Sequence, residues 1–320
     1  MMSRRRFIAS LCATTMALAA CGLPGSAPAK PKTSTVVTVG FGSLGLGNAP
    51  VWVAAEGGYF ERYGLNVKTQ YLDPAAVLPA LASHDVTFSG SAAGSDIPAQ
   101  LQNASIKIIA AYIHFPTPAL LTQPEIKDAS GLRGKKFAVA GGTAEFLTKL
   151  SLSKLGLEPG KDIELPRVAN GKALLASLEN KTVEGAILSD PDWRVAVTEG
   201  YTLLARLRDL NISYEQQTLI GDRDYMRSNP DVTVSFLKGM NDGLKRFKED
   251  RDFTKKVVDK YLESSPLSPE LFDQSYRDAE ATWGNTLSLN LAGITTVIEG
   301  LGANAKAEDF VDTSYLAQLK

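Results

Sequence analysis

The chain has 320 residues, with 34 lysines and arginines against 35 aspartates and glutamates, and a formal net charge of −1. A net charge this close to zero is not the strongly basic balance typical of nucleic-acid-binding proteins, so we expect no nucleic-acid partner. Only two cysteines and two histidines are present, which leaves little material for disulfides, cysteine-type zinc sites or histidine catalysis.

The first residues have the pattern of an export signal. Arg4, Arg5 and Arg6 precede an apolar stretch over 7–20, which is shorter than the roughly 20 residues that span a bilayer. The run Leu18-Ala19-Ala20-Cys21 matches the lipobox of bacterial lipoproteins, and residues 3–8 are also similar to a twin-arginine signal. We therefore predict a lipoprotein signal peptide over 1–20 and lipidation of Cys21. Cleavage near Ala20 without a lipid is the alternative.

Cleavage before Cys21 would change the composition of the mature chain. It removes three arginines and no acidic residue, so the formal charge goes from −1 to −4. Cys12 leaves with the signal, and a single remaining cysteine cannot form an intramolecular disulfide. Residues 21–34 are rich in Pro, Ala, Ser and Lys and predict a flexible tether. The remainder is long enough for two lobes.

The first folded segment reads as a β-α-β unit. Val36 to Val39 is a β-branched run typical of a buried strand, and a glycine-rich loop follows over 42–48. Pro50 suits the first turn of a helix that Gly64 would end, and residues 66–71 predict the next strand. The loop would then lie at the carboxyl edge of a sheet, where ligands of open α/β sheets bind.

Two alternatives for this loop remain open at the level of sequence. The run from Gly40 to Gly45 spells the G-x-G-x-x-G of a dinucleotide fingerprint, and Asp73 could serve as the ribose-binding acid. That interpretation predicts a nucleotide-dependent oxidoreductase. The other alternative is a glycine-rich loop that binds nothing.

The sequence motifs around this loop resemble those of the SsuA/THI5-like (NMT1/THI5-like) family. The run A-P-V-W-V-A begins at Ala49, and E-G-G-Y-F-E-R-Y-G-L-N-V begins at Glu56. The residues that match the family's first motif are Ala55, Gly58, Tyr59, Phe60, Gly64, Leu65 and Val67. The run 131–136 resembles a second family motif, D-L-K-G-K-K. Members are periplasmic binding proteins of ABC importers for nitrate, sulfonates, taurine and pyrimidine precursors.

The rest of the chain continues the α/β alternation. Strands are predicted over 86–88, 106–113, 137–140, 163–168, 186–189 and 201–205. Helices are predicted at 78–81, 97–102, 144–155, 173–178 and 194–199, with a helical region from 231 onward whose tail, 271–319, packs on the first lobe. The chain would cross between lobes at 116–123 and return at 217–221.

The resemblance implies an α/β bilobed fold of the periplasmic-binding-protein type II, with a two-segment hinge. Lobe I would comprise 35–118 and 222–320, and lobe II would comprise 119–221. Four loops of small residues, over 42–48, 89–95, 141–143 and 189–193, would form the cleft. Free backbone N–H groups at helix N-termini suit an acidic head group. Each hydroxyl could equally serve only as a cap for its own helix.

The candidate ligand-binding residues are Ser43, Leu44, Asn48, Trp52, Ser89, Gly90, Ser91, Gly142, Thr143, Asp190 and Trp193. Trp52 and Trp193 would form an aromatic wall, with a core role as the alternative for each, and Trp283 is expected in the core. The acids Asp190, Asp192 and Glu145 disfavour a small, highly charged oxyanion. They favour a ligand with N–H donors beside an acidic group, such as a pyrimidine derivative or an aminosulfonate.

The resemblance implies a solute-binding lipoprotein of an ABC importer rather than an enzyme. Its partners would be a small anionic or heterocyclic molecule, a permease and an ATPase, with no cofactor and no metal. The protein would be a monomer, exported and held on the membrane by Cys21. An exported enzyme on the same fold, such as a menaquinone-pathway-like lyase, and a sensory receptor are the alternatives. His84 is expected in an exposed turn, and His114 near the lobe crossing.

Overall fold

The computed structural model describes residues 34–264 and 266–319. The predicted signal peptide and Cys21, and the tether up to residue 33, lie outside the described residues. Within the described ranges, no helix has the length and apolar character needed to cross a membrane.

The described chain contains nine strands and eleven α-helices. The strands are β1 (Thr35–Phe41), β2 (Leu65–Tyr71), β3 (Phe88–Ser91), β4 (Ile106–Ile113), β5 (Ala119–Thr122), β6 (Phe137–Ala138), β7 (Gly185–Leu188), β8 (Thr202–Arg206) and β9 (Gln217–Asp222). The helices are α1 (Ala49–Glu56), α2 (Val77–Ala82), α3 (Ala93–Leu101), α4 (Thr143–Lys154), α5 (Gly171–Glu179), α6 (Asp192–Thr198), α7 (Arg223–Ser228), α8 (Pro230–Glu249), α9 (Arg251–Tyr261), α10 (Pro269–Thr282) and α11 (Leu291–Gly300).

The strands form two sheets, one for each lobe, so the predicted α/β bilobed type II fold is confirmed. The first sheet has five strands in the order β2-β1-β3-β9-β4, and the second has four in the order β6-β7-β5-β8. In the first sheet β1 runs parallel to β2 and β3, whereas β9 runs antiparallel to β3 and β4. In the second sheet β5 runs antiparallel to β7 and β8.

Two segments connect the sheets. The first, 114–118, joins β4 to β5, and the second, 207–216, joins β8 to β9. The return crossing was predicted at 217–221, but those residues form β9, a central strand of the first sheet. The apolar residues of this strand would also suit a buried connecting segment, so the sequence alone does not assign it to a sheet. Its pairing with β3 and β4 places it in the first lobe. The bounds of the two lobes stay a prediction.

Two further element predictions differ from the structure. Residues 163–168 were predicted as a strand, yet they make only isolated bridges. These join Ile163 to Pro159, Glu164 to Lys136 and Arg167 to Val139. The first helix was expected to continue to Gly64, but α1 ends at Glu56. Gly58 then adopts φ +67°, and a separate 3-10 turn over 61–63 is ended by Gly64 at φ +77°. Left-handed backbone of this kind favours glycine.

Helix α1 is the centre of the first lobe. Every residue from Ala49 to Ala54 is buried, because α1 lies between the first sheet and the long helix α8. The approach of these helices requires a glycine, since a Cβ at Gly243 on α8 would lie 2.4 Å from the Cβ of Ala54. Helix α1 has no capping side chain at its start, where Pro50 lies. The burial of the helix stabilises it instead.

A second apolar core crosses between the lobes. It contains Ile97 of α3, Leu147 of α4 and Ile294 of α11, together with buried residues from both sheets. Helix α11 packs against α3 and α4. The helical tail was predicted to pack on the first lobe. Helix α10 does so, through Phe272, whereas α11 lies where the two lobes meet.

Candidate functional site

A cavity of about 100 Å³ lies where the two lobes and their connecting segments meet. Its walls come from the loop after β1, the loop before α6, the end of β8, both connecting segments and helix α10. The principal lining residues are Ser43, Phe115, Thr117, Asp190, Trp193, Arg206, Arg208, Gln216, Gln217, Ser275, Asp278 and Trp283. The carboxyl end of a strand at a lobe junction is where an α/β fold of this type presents a ligand site.

The wall after β1 is held by a chain of amide hydrogen bonds. Asn48 Nδ2 donates to the carbonyl and to the hydroxyl of Ser43, each at 3.0 Å, and Gln217 Nε2 donates to Asn48 Oδ1 at 3.0 Å. The Tyr112 hydroxyl donates to the Gly47 carbonyl at 2.7 Å. Asn48 therefore does not line the cavity itself but fixes Ser43 and Gln217, which do. Gly90 packs behind this pair, since a Cβ there would lie 2.7 Å from Asn48 Oδ1.

The opposite wall is the start of α6. Trp193 lines the cavity, and the guanidinium of Arg194 lies 4.2 Å from the centre of its ring, within the range of a cation–π contact. Arg194 Nε also donates to Asp190 Oδ2 at 2.6 Å. The indole Nε1–H of Trp193 is buried and has no hydrogen-bond partner among the described residues. A buried donor without a partner has a cost in free energy.

Helix α10 closes the third side and links the lobes. The Ser275 hydroxyl donates to the carboxylate of Asp190. Asp278 accepts from two arginines of the second lobe, from Arg194 Nη2 at 3.0 Å and from Arg208 Nη1 at 2.6 Å. The side chain of Arg194 is only 12% exposed, so this is a partly desolvated bridge rather than a surface ion pair.

The pKa of one acid group at this wall is raised. Burial raises the pKa of Asp192, at the start of α6, and the negative charge of Asp190 raises it further, while Lys172 opposes the shift. On α4, by contrast, hydrogen bonding to Lys149 and Arg167 lowers the pKa of Glu145. Glu145 therefore forms ion pairs with the exposed side chains of Lys149 and Arg167, and it does not line the cavity.

The predicted head-group site is filled by the protein itself. The Ser89 hydroxyl is buried and donates within the sheet to the carbonyls of Gly40 and Gly90, while Ser91 donates to Asp96 Oδ1 at 2.5 Å. Thr143 contacts α3 directly, and Gly142, with φ +65°, would place a Cβ 3.3 Å from Ser95 Oγ. Of these candidates, none lines the cavity, because the two helix starts pack against each other.

Three other predictions are revised. Trp52 is fully buried and stacks on Tyr261 with ring centres 4.7 Å apart, so it belongs to the core, although its Nε1 also lacks a partner among the described residues. Leu44 lies in the first loop, 36% exposed, but is not part of the cavity wall. Trp283 was expected in the core and instead lines the cavity while stacking on Phe247.

Gly40 and Asp73 do not have the positions that the dinucleotide interpretation requires. Gly40 lies inside β1, where a Cβ would meet Val86 at 3.0 Å, rather than in the turn. Asp73, the candidate ribose-binding acid, caps the 3-10 turn that follows it by accepting from the Ala75 N–H at 3.0 Å.

Sequence reasoning missed the cavity residues from β8, the second connecting segment and α10. Arg206 and Arg208 directly follow a predicted strand, which is the signal that could have identified them. Ser275 and Asp278 carry no such signal, since they lie on the polar side of an amphipathic helix. His114, expected near the crossing, is beside the cavity but bonded to Glu215 at 2.6 Å.

Comparison with known proteins identifies the family. The profile described as NMT1/THI5 like matches residues 47–252, which is more than half of the chain. The chain belongs to the NMT1/THI5-like family. The matched segment of this NMT1/THI5-like protein contains α1, both connecting segments and the start of α6. It begins after Ser43 and ends before α10.

Solved structures share the fold of this NMT1/THI5-like chain at low identity. The alkanesulfonate-binding protein SsuA from Xanthomonas axonopodis pv. citri, bound to MOPS, is 17% identical with a TM-score of 0.71, covering 88% of this chain and 99% of that one. The aliphatic sulphonate binding protein SsuA from Escherichia coli is also 17% identical, with a TM-score of 0.71 and coverages of 87% and 97%.

The periplasmic nitrate-binding protein NrtA from Synechocystis PCC 6803 is 16% identical, with a TM-score of 0.58, over 77% of this chain and 69% of that one. No curated protein matches the chain. These likenesses show the fold, and the ligand of this NMT1/THI5-like protein has to be argued from its own cavity.

Proposed function

We propose that this chain is the solute-binding component of an ABC importer, and that its ligand occupies the cavity between the lobes. The observation that carries the proposal is the composition of the walls, because Ser43, Trp193 and Asp278 reach the same cavity from three separate parts of the fold. Membership in the NMT1/THI5-like family supports the transport role, since the similar structures bear the names of sulfonate- and nitrate-binding proteins.

The two sides of the lobe junction suit hinged closure. On one side α3, α4 and α11 share an apolar core, which excludes water and resists separation. On the other side α6 and α10 are joined by hydroxyl and ion-pair contacts between polar groups, which water can solvate once the lobes separate. The lobes would therefore pivot about the apolar side and open the cavity at α10.

The membrane attachment is a separate part of the proposal. We infer from the lipobox that the mature chain begins at Cys21 and carries lipid there, with residues 21–34 as a tether. The protein would then act as a monomer on the outer face of the cytoplasmic membrane or in the periplasm, and deliver its ligand to a permease and its ATPase.

Native mass spectrometry combined with small-angle scattering tests the proposal. Protein purified without denaturation should release a small molecule, and adding that molecule back to the stripped protein should reduce the radius of gyration. At about 100 times its dissociation constant the ligand should also stabilise the fold by ~2.7 kcal/mol through mass action. A protein that releases no small molecule, and whose radius of gyration no tested solute alters, would contradict the proposed function.

A further inference from the structure

We propose that Asp278 determines the specificity of the cavity, by making it select a small molecule without net charge, uncharged or zwitterionic, over a simple anion. This inference rests on the proposed function, because it takes the cavity as the ligand site. It adds a substrate class and assigns it to a residue of α10, outside the part of the chain that the family profile matches.

The arginines around the cavity are already engaged by carboxylates. Arg208, which lines the cavity, donates to Asp278 Oδ1 at 2.6 Å, and Arg194 behind the wall donates to Asp278 Oδ2 at 3.0 Å. Arg206, the other lining arginine, donates to Asp209 Oδ2 at 2.8 Å. Each guanidinium that could attract an anion thus has a carboxylate of the protein within hydrogen-bond distance.

Charges are also balanced in number. Three arginines, Arg194, Arg206 and Arg208, meet three aspartates, Asp190, Asp209 and Asp278, in one continuous set of contacts. Asp190 and Asp278 both line the cavity. A simple anion entering it would approach two carboxylates in a partly desolvated space and would have to share Arg208 with Asp278. Like charges disfavour each other strongly in such surroundings.

A molecule without net charge avoids this penalty. The outer lone pairs of Asp190 and Asp278 can accept from its N–H or O–H groups, since a carboxylate accepts more hydrogen bonds than the arginines and Ser275 supply. The hydroxyls of Ser43 and Thr117, which line the cavity, can donate to its acceptor atom. Phe115 and Trp283 add apolar surface for its carbon framework. The cavity therefore offers donors, acceptors and apolar walls without an unpaired charge.

The experiment is a gain of anion binding. We would titrate the wild-type protein and Asp278→Asn, both stripped of ligand, with methanesulfonate, following the fluorescence of the tryptophans that line the cavity. Removing the carboxylate leaves Arg208 and Arg194 without their shared partner, so Asp278→Asn should bind methanesulfonate at least about tenfold more tightly than wild type.

Two further variants isolate the cause. Asp273→Asn makes the same substitution on the same helix, at a carboxylate of nearly equal exposure, 33% against 31%, that pairs with Arg251 outside the cavity. It should bind methanesulfonate no better than wild type. The double variant Asp278→Asn/Arg208→Gln should lose the gained affinity. Thermal melts of all variants identify any that fail to fold, and Asp278→Ser replaces Asp278→Asn in that case.

The proposal is overturned if the asparagine variant, or its serine replacement, binds methanesulfonate no more tightly than wild type. It is also overturned if the small molecule released from the native protein is a simple anion. The second result would leave the proposed function intact, whereas a protein that binds and releases nothing would contradict the function itself. A released molecule without net charge, together with the tenfold gain, supports the proposal.

Discussion

The hydroxyl groups of Ser95 and Thr143 lie 3.0 Å apart and join the first turns of α3 and α4 across the lobe boundary. The contact is tight, since a Cβ at Gly94 would approach the Cα of Thr143 to 3.1 Å. The Tyr214 hydroxyl accepts from the Gly94 N–H at 2.9 Å and lies 3.5 Å from Thr143 Oγ1. The two helix starts thus contact each other, and we propose that the ligand binds instead in the cavity beside α6 and α10.

Thr143→Ala should therefore affect stability rather than ligand affinity. It removes the partner of the Ser95 hydroxyl and should lower the free energy of unfolding by about 1 kcal/mol. Denaturant unfolding of the ligand-free protein measures this change.

Thr148→Val on the same helix is the matched control. Thr148 is fully buried, and its hydroxyl has no partner among residues 34–264 and 266–319. Replacing it with valine should leave stability unchanged or raise it by about 1 kcal/mol. If Thr143→Ala weakened ligand binding without changing the stability of the ligand-free protein, that result would support a head-group site at Thr143 instead.

Asp96 should make stability depend on pH. It is fully buried, and desolvation raises its pKa to about 7, although hydrogen bonds from Ser91 and Thr218 oppose the shift. Because the folded pKa lies above the unfolded value, the folded state holds the proton more tightly. The free energy of unfolding should fall as pH rises from about 4 to about 7, by about 4 kcal/mol, and then level off.

Asp96→Asn should remove this contribution. Unfolding measured in denaturant at several pH values between about 4 and 8 should show the difference between variant and wild type growing with pH, in favour of the variant. Asp128→Asn is the comparison, because Asp128 also accepts from a serine hydroxyl but is exposed and has a lowered pKa. A constant difference between Asp96→Asn and wild type would show that Asp96 does not titrate in this range.

Trp193→Phe should separate the indole N–H from the aromatic ring. The apo protein should lose little stability, since the Nε1–H that is removed has no partner among the described residues. Affinity for the co-purified ligand should fall about fivefold to tenfold if the ligand accepts from that N–H. Isothermal titration calorimetry measures the loss.

Trp52→Phe serves as the control for Trp193→Phe. Its indole N–H also lacks a partner in the described part of the chain, but Trp52 lies in the core against Tyr261. The variant should lose stability through the space that it leaves, and should keep the wild-type affinity. Equal affinity of both variants would argue against a ligand contact at Trp193.

Cys21→Ser tests the anchor. The serine variant should move from the membrane fraction to the soluble exported fraction, because only Cys21 follows Leu18-Ala19-Ala20. Cys12→Ser, inside the predicted signal peptide, should fractionate as wild type does. Persistence of the Cys21→Ser protein on membranes would contradict the lipobox prediction.

Local sequence predicted most of the elements correctly. Strand β4 has the predicted bounds, Ile106–Ile113, because its short run, rich in isoleucine and nearly all apolar, suits a strand buried on both faces. The start of α1 was likewise predicted from Pro50. The segment 163–168 was not, since it lies beside β6 but pairs with it only through isolated bridges and does not form a continuous strand.

The residues of the cavity also fall into those that local sequence predicts and those that it does not. Three residues predicted from sequence line the cavity, namely Ser43, Asp190 and Trp193. Each lies just after a strand or at the start of a helix, positions that local pattern reveals. Asp278 and Arg208 are far apart in the chain and meet only when α10 packs beside the second lobe. Sequence alone therefore determined the family and the order of strands and helices. Which charges are paired around the cavity was decided by tertiary packing, because pairing depends on distances between elements that no local pattern encodes.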